Sequence, residues 1–166
     1  VIVISVYVVS DTHFCHYNII RFSRRPYRNT NHMNESMIRN WNSTVRERDE
    51  VIHLGDFALS NLRDIKYIRN RLNGRIYLIL GNHDKSRRSM EEAGFIIIKQ
   101  PHKIRNLVLT HQPLPEVYNG YVNIHGHIHE KFYSGNHINV CVEHTNYTPV
   151  SLDSLFRRAN QMLRWG

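Results

Sequence analysis

At 166 residues, with 41% hydrophobic and 22% charged positions, the chain is sized and composed for one folded domain over residues 1–166, not for a disordered segment. Its two cysteines, Cys15 and Cys141, have no CxxC spacing, which argues against a disulfide scaffold or zinc finger and for a reducing, cytoplasmic setting. A net charge of +8 favours anionic partners such as nucleotides or nucleic acid, and no apolar run is long enough to span a bilayer.

The opening Val1–Val9 run lacks the basic flank and cleavage site of a signal peptide, and Ile2–Ser10 reads as a strand covered on both faces. Met33, Met37, Ile38, Trp41 and Val45 then recur at helical spacing, with Thr30 or Asn31 as N-cap. Val51–Leu54 is a second strand. Asn61 and Asp64 form a capping-box variant ahead of a helix whose apolar face is Leu62, Ile65, Ile68 and Leu72, ended by Asn73-Gly74. Arg75–Leu80 is a third strand, and Ser86–Ala93 a short helix stopped by Gly94. Closely spaced strands follow at Phe95–Lys99, Leu107–Thr110, Val122–His125 and Ile138–Val142. A helix from Ser151 buries Leu152, Leu155, Phe156, Ala159, Met162 and Leu163. This order, β-α-β-α-β and then mainly strand, predicts an α/β domain of two packed sheets with helices outside.

Five polar clusters sit just past predicted strands: Asp11-Thr12-His13, Gly55-Asp56, Gly81-Asn82-His83-Asp84, Thr110-His111 and His125-Gly126-His127-Ile128-His129. Sites in α/β sheets assemble where the carboxyl ends of strands converge, so five loops are placed to meet. Singly, most are ordinary: Asp-Thr-His suits a turn, and Asn82 or Asp84 suits a helix cap. Three histidines within five residues are harder to explain without a metal. Together the clusters supply oxygen and nitrogen donors only, the ligand set of a two-metal site that hydrolyses phosphate esters.

The ordered set Asp-x-His, Gly-Asp, Gly-Asn-His-Asp, Thr-His and Gly-His-x-His, spanning Asp11 to His129, resembles the calcineurin-like metallophosphoesterase superfamily. Asp11-Thr12-His13-Phe14 and Asn18-Ile19-Ile20 resemble its small single-domain members from bacteria and phages. The resemblance implies a four-layer αββα sandwich of two mixed sheets. It also implies that Asp11, His13 and His129 bind a first metal, that Asn82, His111 and His127 bind a second, and that Asp56 bridges them. A hydroxide held between the metals would attack phosphorus. His83 would be the general acid, with Asp84 bonded to its ring. Two divalent transition-metal ions are expected, manganese first, with iron, zinc, cobalt or nickel as alternatives.

The expected activity is hydrolysis of a small phosphate mono- or diester, with nucleotides and cyclic nucleotides as candidate substrates. The alternatives are a metal-dependent nuclease, favoured by the charge but by no nucleic-acid motif, and a non-catalytic interaction module on the same scaffold. Many relatives carry glycine where this chain has Cys15, which is read as a small packed side chain or as a soft, oxidisable ligand. Phe57-Ala58-Leu59 replaces a polar residue common after Gly-Asp. His16 and Asn18 are close enough to the first motif to reach a phosphate, or serve to form the turn before Ile19. His32, His53, His102, His137 and His144 are assigned structural or surface roles, and Trp41 and Trp165 helix-face packing.

Overall fold

Alternating faces of short strands build two sheets. The computed structural model describes residues 3–165; Val1 and Ile2, part of the predicted first strand, and the side chain of Trp165 lie outside that description. The first sheet contains β1 (Val6–Val9), β2 (Glu50–His53), β3 (Arg75–Leu78), β4 (Ile96–Ile97) and β9 (Val150–Ser151), in the order β4-β3-β2-β1-β9. Its first four strands are parallel and β9 runs antiparallel to β1. The second sheet takes β5 (His102–Ile104), β6 (Leu107–Leu109), β7 (Val122–His125) and β8 (His137–Asn139) in that order, with β5 antiparallel to β6 and the rest parallel. The helices are α1 (Tyr17–Phe22), α2 (Thr30–Thr44), α3 (Leu62–Arg71), α4 (Arg87–Glu92) and α5 (Leu152–Trp165).

The side-chain period of two divides the core. Val9, Val51, Ile76 and Leu78 turn outward onto Met33, Met37 and Trp41 of α2, Ile65 and Ile68 of α3, and Met90 of α4. Val8, Ile52, Leu54 and Ile79 turn inward against Leu107, Leu109, Val122, Ile124, Ile138 and Val140, a layer that Leu155 and Ala159 of α5 join. Parallel strands covered on both faces read as continuous apolar runs, which is why the runs were legible in the sequence. The expected α/β architecture of two mixed sheets with helices outside is what forms.

The sheets are joined at one end. Ser10, just past β1, bridges in parallel to Cys141, just past β8, through Ser10 N–H to Val140 O (3.1 Å) and Val142 N–H to Ser10 O (3.2 Å). The carboxyl ends of both sets of parallel strands therefore lie on the same edge of the molecule.

Several boundaries differ from expectation. The first strand covers only Val6–Val9 because its partner β2 begins at Glu50, and Val3 and Ile4 are exposed. The cap of α2 is Asn29, not Thr30 or Asn31; its side chain accepts the His32 N–H at 2.8 Å. Asn61 caps α3 as expected, accepting the Asp64 N–H at 2.9 Å. The sequence pattern omits α1, β5 and β9, which have two to six residues each and show too little periodicity to register. No helix among the described residues is long and apolar enough to cross a membrane.

Candidate metal centre

Three of the five ligand-bearing loops, those after β1, β2 and β7, leave the carboxyl end of a parallel strand through backbone that ordinary residues avoid. Asp11, His13, Asp56, His127 and His129 all adopt the left-handed region, with φ between 49° and 70°. Each such residue costs about 1–3 kcal/mol, a strain that persists only where the surroundings fix it and that concentrates at functional sites. Glycines make the close approaches possible. A Cβ on Gly81 would overlap the Asp56 carboxylate, and one on Gly126 would overlap Ser10 Oγ and the Asp11 carboxylate.

Asp11 is fully buried and its two oxygens have different surroundings. Oδ2 accepts from Ser10 Oγ, from His127 N–H at 2.8 Å and from Cys141 Sγ at 3.3 Å. Oδ1 has no hydrogen-bond partner, and nor does the buried His13 Nε2 that lies 3.7 Å from it. His129 Nε2 is 4.0 Å from the same oxygen. Burial works against charge on Asp11, but the adjoining imidazoles outweigh it and hold the carboxyl below the usual range.

Asp56 joins this cluster to a second. Its Oδ1 accepts the His83 N–H at 2.8 Å, while Oδ2 stands 3.5 Å from His13 Nε2 and 3.6 Å from His111 Nε2. His111 Nδ1 donates to Leu54 O at 2.8 Å, which leaves Nε2 as a lone pair. That lone pair faces Asn82 Oδ1 at 2.8 Å and His127 Nδ1 at 3.2 Å. Acceptors converging on one point with too few protons between them suit a cation. Among the described residues four groups satisfy the spacing that one ion requires: Asp11, His13 and His129; Asp56, His111 and His127; His13, Asp56 and His83; and His129, Cys141 and Glu143. The first two consist wholly of expected ligands. Burial keeps the pKa of His13 and His127 below that of free histidine, so both are neutral, the ligating form, at neutral pH. The residues fit a pair of divalent ions.

The structure thus brings Asp11, His13, Asp56, Asn82, His111, His127 and His129 together. His83 lies at the same point, with its side chain 44% exposed and its Nδ1 2.8 Å from Asp56 Oδ2. Asp84 does not contact the His83 ring. Its carboxylate accepts the backbone N–H groups of Asp56 (2.8 Å), Phe57 (2.9 Å) and Gly81 (2.8 Å), which ties the loops after β2 and β3 together. The ring expected to meet Asp84 turns to Asp56 instead. Burial raises Asp84 to about pKa 6 against the lowering effect of those donors.

Two hollows flank the cluster. One, of about 390 Å³, is lined by His13, His16, Phe22, His83, His127 and Lys131 among others. The other, of about 540 Å³, runs from Asn82 and His111 along Gln112, Pro113 and Leu114. His16 lines the first hollow and meets His13, Nδ1 to Nδ1, at 3.1 Å. Asn18 is exposed on α1 and lines neither hollow. Cys15 points away from the ligands, its Sγ accepting from Asn34 Nδ2 at 3.4 Å, and burial raises its pKa. The thiol beside the centre is Cys141.

His53 is also not a peripheral residue. It is fully buried; Nδ1 accepts the Gly55 N–H (3.1 Å), so Nε2 carries the proton and donates to Thr12 Oγ1 (2.9 Å), which in turn donates to Phe57 O (2.7 Å). That imidazole ties the ligand loops after β1 and β2 together. Its placement one residue before Leu54-Gly55-Asp56 was the available signal.

A profile of the calcineurin-like phosphoesterase superfamily domain matches residues 4–144. The chain belongs to that superfamily. It is 38% identical over 172 aligned positions to an uncharacterized protein of Methanocaldococcus jannaschii, covering 92% of this chain and 89% of the relative. A protein of unknown function from Aquifex aeolicus superposes with a TM-score of 0.72 at 26% identity, over 93% of this chain and 99% of that one. The Pseudomonas putida nuclease MPE shares the fold at a TM-score of 0.52 and 21% identity, over 75% of this chain and 61% of its own. Superfamily members are typically metal-dependent phosphoester hydrolases, and the clustered aspartates and histidines accord with metal binding.

Proposed function

We propose that the protein is a dinuclear-metal-dependent phosphoesterase that hydrolyses small phosphate mono- or diesters, nucleotides and cyclic nucleotides among them. The observation that carries this reading is Asp56 Oδ2, which lies between His13 Nε2 and His111 Nε2 at nearly equal distances of 3.5 and 3.6 Å. A carboxylate oxygen can be shared by two cations; an imidazole lone pair cannot. Asp11, His13 and His129 would hold one ion and Asn82, His111 and His127 the other. Bound divalent ions at such a site supply charge neutralisation for a phosphate and lower the pKa of water. Nitrogen and oxygen ligands without thiolate suit manganese, iron, zinc, cobalt or nickel, and the superfamily resemblance makes manganese the first ion to test.

The chain's own residues do the rest. Asp84 fixes the backbone of Asp56 and Gly81, so that the shared carboxylate is held before any ligand arrives. His83 borders the first hollow, and its Nε2 makes no hydrogen bond among the described residues, which leaves it free to give a proton to a leaving oxygen. His16 and Lys131 stand on the same rim; the lysine's charge would draw a phosphate, while His16, its pKa pulled down to about 4 by burial, would offer it a neutral hydrogen-bonding ring. Hollows on both sides of the ligands give room for a diester with two organic groups as well as for a monoester.

The test is hydrolysis of p-nitrophenyl phosphate and bis-p-nitrophenyl phosphate by metal-stripped protein as manganese is added back. Manganese-dependent turnover of either is expected, and their ratio reads out monoester against diester preference. Two bound ions with no turnover of either ester would count against an esterase and favour a non-catalytic interaction module.

A further inference from the structure

We propose that Glu143, paired with Arg25, is a positioning residue for the first metal position: it fixes His129 through Nδ1 so that Nε2 faces Asp11 and His13. The inference rests on the metal-centre reading above. Glu143 Oε1 receives Arg25 Nε at 2.9 Å, Arg25 Nη2 at 2.8 Å and His129 Nδ1 at 3.3 Å. The opposite nitrogen of the same ring is the one 4.0 Å from Asp11 Oδ1. The same guanidinium donates from Nη1 to Thr12 O (2.6 Å) and from Nη2 to Asp11 O (2.7 Å). One buried cation therefore holds the loop carrying Asp11 and His13 against the carboxylate that orients His129.

The other ligand imidazoles are held differently. Among the described residues, the non-ligating Nδ1 of His111 meets a backbone carbonyl and that of His13 meets another imidazole, His16. Of these imidazoles, only His129 has a carboxylate behind it among the described residues. A carboxylate on the far nitrogen fixes the tautomer and raises the basicity of the ligating one. A buried ion pair is commonly replaceable by apolar side chains without loss of stability. Both partners here are almost wholly buried, with side-chain exposures of 0% and 5%.

His129, Cys141 and Glu143 also come close enough together to suggest an ion of their own. The guanidinium already on Oε1 repels a second cation there, and the Cys141 thiol is turned to Asp11 Oδ2 with its pKa pushed well above the usual value by burial. Orientation of His129 is the role that remains.

The experiment is manganese binding to metal-stripped protein, by calorimetry and by the electron paramagnetic resonance of free ion. His129→Ala identifies which of two binding events belongs to the first position. Glu143→Gln keeps an acceptor for both partners but removes the charge, and Arg25→Met/Glu143→Leu removes both charges so that neither is left unpaired. Weakening of the first position by about ten- to a hundredfold is expected in both variants, with the second position unchanged. Thermal unfolding of the metal-free proteins serves as the folding check. Unchanged affinity at the first position, or an equal loss at both positions, would overturn the proposal. Failure of the unaltered protein to bind manganese at all would instead remove the metal centre, and this inference with it.

Discussion

Acid should unfold the metal-free protein through His53 in particular. The imidazole is fully buried, and burial, the largest effect on it, pulls its pKa down to about 3 from 6.5. Below about pH 6.5 the unfolded chain takes up a proton at this position that the folded one refuses, so stability falls as pH falls across the window from 6.5 to about 3. Between pH 7.5 and pH 5 this linkage amounts to about 2 kcal/mol for one group with these two pKa values. His53→Asn keeps an acceptor for the Gly55 N–H and has nothing to titrate. Urea unfolding of metal-stripped protein and variant at the two pH values isolates the effect, because other histidines contribute to both. The variant should start less stable by about 1–3 kcal/mol, having left Thr12 Oγ1 without its donor, yet lose about 2 kcal/mol less than the unaltered protein on acidification. Parallel losses in the two proteins would refute the assignment of His53 as a buried neutral imidazole.

Other substitutions test the centre and the scaffold. His83→Ala should keep manganese binding, since it removes a ring that competes for Asp56 Oδ2, while turnover of esters with poor leaving groups falls by about two to four orders of magnitude. Loss of metal in that variant would show that His83 is a ligand and not the acid. Asp56→Ala should leave the purified protein with fewer than two ions, read by elemental analysis after loading; full occupancy would rule out the shared carboxylate. Asn29→Ala should lower the unfolding free energy by about 1 kcal/mol, and Asn31→Ala by much less, because only Asn29 accepts a helix N–H at the start of α2.

The sequence alone determined the chemistry of the centre and its order along the chain. Ligand types depend on residue identity, and their position after strands depends on apolar runs such as those that the two-faced burial of β1 and β2 makes continuous. The Asn61 cap and the Gly94 stop were equally local, since their partners lie within a few residues. What only the tertiary structure decided is which atoms meet across the chain. Asp84 is near His83 in sequence but holds backbone 27 and 28 positions away, so a local reading pairs it with the wrong partner. Asn18 and His16 are indistinguishable as neighbours of the first motif, until α1 turns one to solvent and the other onto His13. Arg25 and Glu143 are 118 positions apart, and neither carries a motif; each looks like a surface charge until folding removes both from water. Burial and partnership at that range are set by the packing of the two sheets, which no periodicity within a single segment encodes.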